Sequence, residues 1–296
     1  MISRYDVFIH VVNKRSFTLA AQELGYSQSA VSQNVAALEE ELQTKLLLRK
    51  KDGLYLSEDG KKYLPYIEAI VNAQRALFDK KKEMDGFVDE IIQIGAFTSV
   101  SRNVLPHLMS QFKKIYPSVH FELRQGDYDE IYHWVKSGSV DFGFINPVGF
   151  EDIESKVIYE DTMVAVLPKN HPLASKESIS LKELEKETFI LLDEGKNSVP
   201  LQAFDRLGIT PKIEYKIYDD YSILAMVKQG IGVSILYRLV ATGYSDGIIL
   251  KPIKEPIERK IAIAYHKKEM MTKASLAFMN YTLEHMEDVL KQIGVL

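Results

Sequence analysis

Apolar positions Tyr5, Phe8, Ile9 and Val12 recur at i, i+3, i+4 and i+7, the stripe of an amphipathic helix. Phe17, Ala20, Ala21 and Leu24 repeat that spacing behind an N-cap at Ser16 or Thr18, and Gly25 offers the positive φ that lets the chain turn. Ser27 then caps a third stretch whose Val31, Val35, Leu38 and Leu42 form a narrow apolar seam. The pattern predicts helix, tight turn, helix. Two short β-prone runs follow between Lys45 and Leu56 and flank Asp52-Gly53, the strongest short hairpin signal. Behind a cap at Ser57, positions Tyr63, Ile67, Ile70, Gln74, Leu77, Lys81 and Met84 step by four and three, a seam that packs on another helix. Pro65 falls in the first turns of this segment, where it removes a donor without ending the helix. Lys80, Lys81 and Lys82 with Asp85-Gly86 close it as a solvated helix end and hinge.

From residue 91 strands and helices alternate. Residues 91–97 read as a buried strand, 101–116 as a helix with Val104, Leu105, Leu108, Phe112 and Ile115 inward, and 119–124 as a strand alternating Val119, Phe121 and Leu123 with polar neighbours. Residues 128–136 are again helical and 141–145 strand-like, a βαβαβ order that implies a parallel sheet. A second unit follows: strands at 163–167, 189–192, 213–217 and 233–236, with helices behind the capping box Ser180–Glu183, near 201–207 and at 221–229. Two α/β lobes create a cleft. Ligands of open parallel sheets sit at the carboxyl ends of strands beside helix N-termini, here the loops Thr98-Ser99-Val100-Ser101, Gly126-Asp127-Tyr128 and Asn146-Pro147.

Composition narrows the functional classes. The 296 residues suffice for about two domains, and 46% hydrophobic with 26% charged residues is ordinary globular usage. Without a cysteine there is no disulfide, thiolate nucleophile, Cys-ligated zinc or iron–sulfur cluster. No signal peptide is visible, and no uncharged apolar run approaches the ~20 residues of a membrane helix, so a cytoplasmic chain is expected. The net charge of −4 argues against a wholly basic surface, so a nucleic-acid role would have to be local.

Such a local surface is present on the third helix. Opposite its seam lie Ser29, Ser32, Gln33 and Ala36, with Gln28 at the tip. Short hydroxyls and amides hydrogen-bond base edges or phosphates, and alanine permits close approach and contact with a thymine methyl. A solvated helix face is the alternative, although such faces favour Lys and Glu, which here appear only at Glu39, Glu40 and Glu41. A hairpin carrying Arg49, Lys50 and Lys51 would place cations on phosphates beside the groove. Residues 1–60 nevertheless hold seven Lys/Arg against eight Asp/Glu, a net −1, so one copy should bind weakly and a dimer on two half-sites is expected.

The runs Ser16-Phe17-Thr18-Leu19-Ala20-Ala21-Gln22-Glu23-Leu24, Ser27-Gln28-Ser29-Ala30-Val31-Ser32, Leu38-Glu39-Glu40-Glu41-Leu42, Leu46-Leu47-Leu48-Arg49 and Leu56-Ser57-Glu58-Asp59-Gly60 resemble, in order and spacing, the winged helix-turn-helix of the LysR-type transcriptional regulators. Three later stretches are similar to the effector-binding half of that family: residues 121–143, Leu167-Pro168-Lys169-Asn170-His171-Pro172-Leu173-Ala174, and Val227-Lys228-Gln229-Gly230-Ile231-Gly232-Val233-Ser234. The resemblance covers nearly the whole chain. It implies an α/β protein with a winged helix-turn-helix over about 1–60, a linker helix over about 61–87, and a two-lobed type 2 periplasmic-binding-protein-like effector domain over 88–296. Lobe I would take about 88–162 and 266–296, and lobe II about 163–265.

The resemblance further implies a non-enzymatic regulator without a bound cofactor, its binding to double-stranded operator DNA modulated by a small-molecule co-inducer between the lobes. DNA-binding residues would be Ser27, Gln28, Ser29, Ser32, Gln33, Ala36, Arg49, Lys50 and Lys51, and the dimerisation seam Tyr63, Ile67, Ile70, Gln74 and Leu77. Effector-binding residues would be Thr98, Ser99, Val100, Ser101, Tyr128 and Asn146 on one side and Asn197, Ser198 and Gln202 on the other. Homodimers, homotetramers and contact with RNA polymerase are the expected partnerships. Several family members carry a cation near the position of Asn146; here an amide stands, which leaves Arg102, Arg124 and Lys196 as alternative cations or as solvated surface residues. A thiol peroxide sensor of the kind some relatives use is excluded by the missing cysteine.

Other constellations carry less. Gly230-Ile231-Gly232 follows a helix and lacks a third glycine, a C-cap instead of a dinucleotide fingerprint. The seven histidines show no ligand spacing, Asp219-Asp220 reads as a helix cap, Trp134 as core, and no G-x-S-x-G elbow occurs. A two-lobed solute-binding protein or enzyme is the rival from another class, and a constitutive regulator with an empty cleft is a third reading.

Overall fold

Ser3 opens the first helix, α1 (Arg4–Lys14), by a capping box with Asp6, and Ser16 caps α2 (Phe17–Leu24), which Gly25 ends at φ +67°. The computed structural model describes residues 2–50, 53–84, 90–193, 198–244 and 246–296. Ser27 caps α3 (Gln28–Glu41), and the three helices close over Phe8, Val11, Ala20, Val31, Val35 and Leu38. A hairpin of β1 (Leu47–Lys50) and β2 (Gly53–Leu56) adds Leu46 and Leu54 to that core. Glu39, expected among solvated acids, is only 8% exposed: it accepts from the N–H groups of Leu46 (2.9 Å) and Leu47 (3.2 Å) and from Lys45 Nζ (2.6 Å). Those bonds tie the end of α3 to the start of the hairpin, because the first amides of a strand entering a core need an acceptor.

The linker helix α4 (Glu58–Met84) runs 27 residues with Pro65 inside it. Ser57 Oγ accepts from Gly60 N (2.8 Å) and donates to Lys45 O, and a Cβ at Gly60 would fall 2.1 Å from Leu46 O, so only glycine lets the helix start this close to the hairpin. Along α4, Leu64 and Ile67 enter the N-terminal core, while Asn72 Nδ2 donates to Ser137 O (2.8 Å) and Ser139 Oγ (3.1 Å) of the following domain. The seam therefore needs one correction. Ile67 is 2% exposed against its own domain, and Tyr66, 72% exposed, stands in its place on the free stripe with Tyr63, Ile70 and Leu77.

The C-terminal part begins β3 (Ile91–Ala96), α5 (Thr98–Asn103), α6 (Leu105–Ile115), β4 (His120–Gln125), α7 (Tyr128–Ser137) and β5 (Phe142–Ile145), with β3 parallel to both β4 and β5. The single helix expected over 101–116 is two, broken at Val104, because Pro106 in the first turn of α6 has no N–H to continue the ladder of α5. Next, β6 (Glu154–Pro168) extends 15 residues, far beyond the strand expected at 163–167. The lobe II elements α8 (Leu181–Leu184), β7 (Phe189–Leu192), α9 (Val199–Arg206), β8 (Ile213–Ile217), α10 (Asp220–Lys228), β9 (Ser234–Tyr237), α11 (Arg238–Ala241) and β10 (Ile248–Pro252) lead to β11 (Glu258–Tyr265) and α12 (Lys273–Gln292).

The main sheet has seven strands in the order β10-β6-β11-β5-β3-β4, with β9 also on β6. The first half of β6 pairs with β11 and its second half with β10 and β9, so one strand is the spine of both lobes. The lobe I core gathers Phe112, Phe142, Phe144 and Phe278, and the lobe II core Phe189, Phe204, Ile223 and Leu236. Ile261, Ile263 and Tyr265 of β11 belong to the lobe I core, and β11 pairs with β5. The lobe II boundary expected at residue 265 accordingly moves back to about Ile257, since a strand that fills one core belongs with it.

Candidate functional site

Two surfaces carry the chemistry. On the first, α3 turns Gln28, Ser29, Gln33 and Ala36 to solvent with Ser32 half-buried beside them, while Val31, Val35 and Leu38 anchor the opposite side. Ser27 Oγ accepts from Ala30 N (3.1 Å) and bonds Ser29 Oγ (2.9 Å), so its first task is the cap. The N–H groups that the cap leaves over at this helix start, with polar side chains and no acid in the first turn, suit an anionic backbone. The hairpin sets Arg49 and Lys50 in solvent; the Arg49 guanidinium lies 4.7 Å from the Phe17 ring centroid and Lys50 Nζ 5.3 Å from that of Tyr55. Ring contacts of this kind hold the cations in place without neutralising them. Lys51 lies outside the described residues.

The second surface is the seam between the lobes. Arg259 of β11 reaches it from the sheet: Nε and Nη2 donate to Asp161 Oδ2 (3.1 and 2.8 Å), Nη2 to Ser99 Oγ (2.9 Å) and Nη1 to Tyr128 OH (3.0 Å). The guanidinium lies 3.9 Å from the Tyr237 centroid and 4.8 Å from that of Phe97. Asp161 of β6 also accepts from Leu239 N (3.1 Å). Burial pushes the Asp161 carboxyl up, opposed by Arg259; burial also works against charge on Arg259, but Tyr128 and Asp161 outweigh it and hold the guanidinium above its usual range. Both charges are thus kept by each other. A second bridge crosses nearby: Arg102 of α5 stacks on Tyr221 (3.7 Å) and donates to Tyr244 OH (2.8 Å), and Asn103 Nδ2 donates to Leu239 O (2.6 Å). Asp220 opens α10. Burial lifts its carboxyl to about 6, against the pull of Arg259 and with a further push from Asp219.

Against this geometry the comparisons with known proteins are decisive. The family model described as bacterial regulatory helix-turn-helix protein, lysR family, matches residues 2–61, and that of the LysR substrate binding domain matches 88–287. The chain belongs to the LysR family. It is 29% identical to the transcriptional dual regulator GltC of Bacillus subtilis, over 94% of each chain. Among solved structures it is similar to HinK, a LysR family transcriptional regulator from Pseudomonas aeruginosa, with 25% identity, a TM-score of 0.61 and coverage of 96% of this chain and 97% of that one. It is also similar to the effector binding domain of QuiR in complex with shikimate, with 25% identity and a TM-score of 0.58 over 67% of this chain and 97% of that one. This LysR regulator is a DNA-binding transcription factor with an effector-binding domain and not an enzyme.

In this LysR regulator the expected effector residues do not share one environment. Thr98, Ser101 and Tyr128 stand at the carboxyl ends of β3 and β4; Gln125 Nε2 donates to Thr98 Oγ1 (2.7 Å), and Asn146 Oδ1 accepts from Val148 N (3.3 Å). Ser99 and Ser198 are buried; Ser99 receives Arg259, Ser198 caps α9, and Gln202 follows on that helix, exposed to solvent. Val100 is fully inside the lobe I core and does not face the seam, a correction that follows from the tight first turn of α5. Asn197 and Lys196 lie outside the described residues. Neither remaining candidate cation is simply solvated: Arg102 stacks on Tyr221 and Arg124 lies 4.0 Å from the Trp134 centroid. The residues that sequence reading missed are Arg259 and Asp161. Arg259 shares the strand phase of Ile261 and Ile263, so a charge on the inward phase was the signal. No helix among the described residues is long and apolar enough to cross a membrane.

Proposed function

We propose that paired copies of this LysR regulator read a near-palindromic operator through α3. Gln28, Ser29, Ser32, Gln33 and Ala36 meet base edges, and Arg49, Lys50 and Lys51 hold the phosphates beside them. One observation carries this reading: an uncharged, small-side-chain face of α3 is open to solvent while the apolar face of the same helix is buried. Dimers form through Tyr63, Tyr66, Ile70, Gln74 and Leu77 of α4, two dimers make a tetramer, and the assembly acts on RNA polymerase in the cytoplasm where its operator lies. A small-molecule effector enters between the lobes at Thr98, Ser101, Tyr128, Asn146 and Gln202 and favours one arrangement of the heads, typically by ~1–3 kcal/mol of coupling. The similarity to the effector binding domain of QuiR, a complex with shikimate, supports a small-molecule effector for this domain.

Band-shift or anisotropy titration with the intergenic region beside the gene tests the reading. Gln33→Ala should weaken specific binding about tenfold to a hundredfold, the ~1–3 kcal/mol of a base-edge contact. Ser32→Glu should abolish it by placing a carboxylate against the duplex. Wild-type affinity for both variants would remove α3 as the reader.

A further inference from the structure

An asparagine in the middle of a helix needs a reason, because its amide competes with the backbone and gains nothing there locally. Asn72 lies well inside the 27 residues of α4 and is only 9% exposed. Its Nδ2 donates across to Ser137 O (2.8 Å) and Ser139 Oγ (3.1 Å) of lobe I. Ser137 O is among the last carbonyls of α7, which lack a partner inside their own helix, so a side chain of the linker caps a helix of the effector domain. The receiving turn is itself tied down. Gly138 takes φ +71°, a Cβ there would lie 3.4 Å from Asn72 Cβ, and Ser139 Oγ bonds Ser137 Oγ (2.8 Å), which also reaches Trp134 O (3.2 Å). On the next turn of α4, Arg75 Nη1 donates to Gln93 Oε1 of β3 (3.3 Å).

Each side of this contact belongs to a packed body. Ile67, earlier on α4, is fixed in the core of the N-terminal head. On the other side α7 lies so close on the sheet that a Cβ at Gly143 of β5 would fall 2.5 Å from Ile131 Cγ2 and 2.9 Å from Val135 Cγ2. Tyr128, the first residue of α7, accepts from Arg259 Nη1 at the interlobe seam (3.0 Å). Beside the contact the two bodies part. A crevice of about 350 Å³ lies between Ile9 and Asn13 of α1, Glu68 of α4 and Arg124 of β4. Where close packing is interrupted in this way, a few buried hydrogen bonds set the angle between the bodies.

We infer that Asn72 is the positioning residue that fixes the head and linker helix on lobe I, so that movement of lobe I against lobe II turns the DNA-reading head. This rests on the reading of α3 as the DNA reader and adds the contact through which the lobes reach it. A covalent connection alone leaves the angle between two bodies free; the bonds from the Asn72 amide remove that freedom. Coupling then runs from the seam through the body of lobe I, α7 included, to α4.

The test uses the full-length chain. Because the sequence has no cysteine, Gln22→Cys on α2 and Asp288→Cys on α12, both at exposed positions, take nitroxide labels without background. Pulsed-EPR distances are read with labelled chains diluted into unlabelled ones, so that only distances within one chain count. A single narrow distribution is expected, which broadens about twofold or splits in Asn72→Ala and in Ser139→Ala, the latter altering only the lobe side. Thermal melts show that both variants are folded. For the functional readout, Arg102→Ala removes the bridge to Tyr221 and Tyr244 and so shifts the lobes without a ligand. It should change operator affinity at least about threefold in the wild-type background and less than about 1.5-fold beside Asn72→Ala, whereas a purely structural role for Asn72 would leave the two effects independent. Unchanged distance distributions in both variants would overturn the clamp. An equal effect of Arg102→Ala in the two backgrounds, or none in either, would overturn the coupling. Failure of the wild-type chain to bind the operator would count against α3 as the reader, and the distance measurement would still decide the clamp.

Discussion

Asp220 and Arg259 show how burial changes what a single side chain does. A carboxyl whose folded pKa lies above its unfolded value stabilises the fold only in its protonated form. For Asp220, lifted from 3.8 to about 6, that contribution is complete below pH 4 and lost once the pH passes 6. In the ligand-free protein, Asp220→Asn is neutral throughout and should therefore raise stability at pH 7.5 by about 1–2 kcal/mol, after discounting the shift for partial exposure. The gain should vanish as the pH falls to 4, which paired thermal melts of the two proteins would show. Of these two residues, Asp220 stood in the sequence as part of a helix cap and Arg259 was not singled out at all. Burial was not legible for Arg259, because its partners lie 98 and 160 positions away in the chain.

The linker helix has three faces with three tasks. Ile67 belongs to the core of the N-terminal domain, Asn72 to the contact with lobe I, and Tyr66, Ile70 and Leu77 to neither. Ile67→Ala should therefore cost ~2–4 kcal/mol of stability in the N-terminal domain and leave the oligomer intact. Leu77→Glu should keep the melting temperature and convert dimers to monomers in size-exclusion chromatography with light scattering. The same outcome for both variants would contradict this division. A heptad count places Ile67 and Leu77 on one stripe, since periodicity reports a face and not its neighbour. Glu39 teaches the same lesson on α3: three consecutive acids look solvated, yet the first receives the Leu46 and Leu47 amides seven and eight residues on.

Across both lobes β6 is the shared frame, and the Asp161–Arg259 pair sits where that strand passes from the lobe I core to the lobe II core. Arg259→Met should destabilise the C-terminal domain by ~3–5 kcal/mol, because Asp161 is left buried and uncompensated. Arg259→Met combined with Asp161→Leu should recover most of that loss in urea unfolding, since an apolar pair of similar volume needs no counter-charge. If the double variant is as unstable as the single one, the pair does more than neutralise itself.

Local order was readable in the chain because caps, turns and periodicity act over a few residues: Ser16, Ser27, Gly25 and the Ser57–Gly60 start place the N-terminal helices, and the strand–helix alternation from residue 91 announces a two-lobed α/β domain. The break at Val104 and the true length of β6 depend on which backbone groups find partners, and strand pairing is a choice among distant segments. Which lobe owns β11, which face of α4 stays free, and which charges share the interlobe seam were settled only by packing. Burial and electrostatic pairing arise between residues scores of positions apart, and no local pattern encodes them.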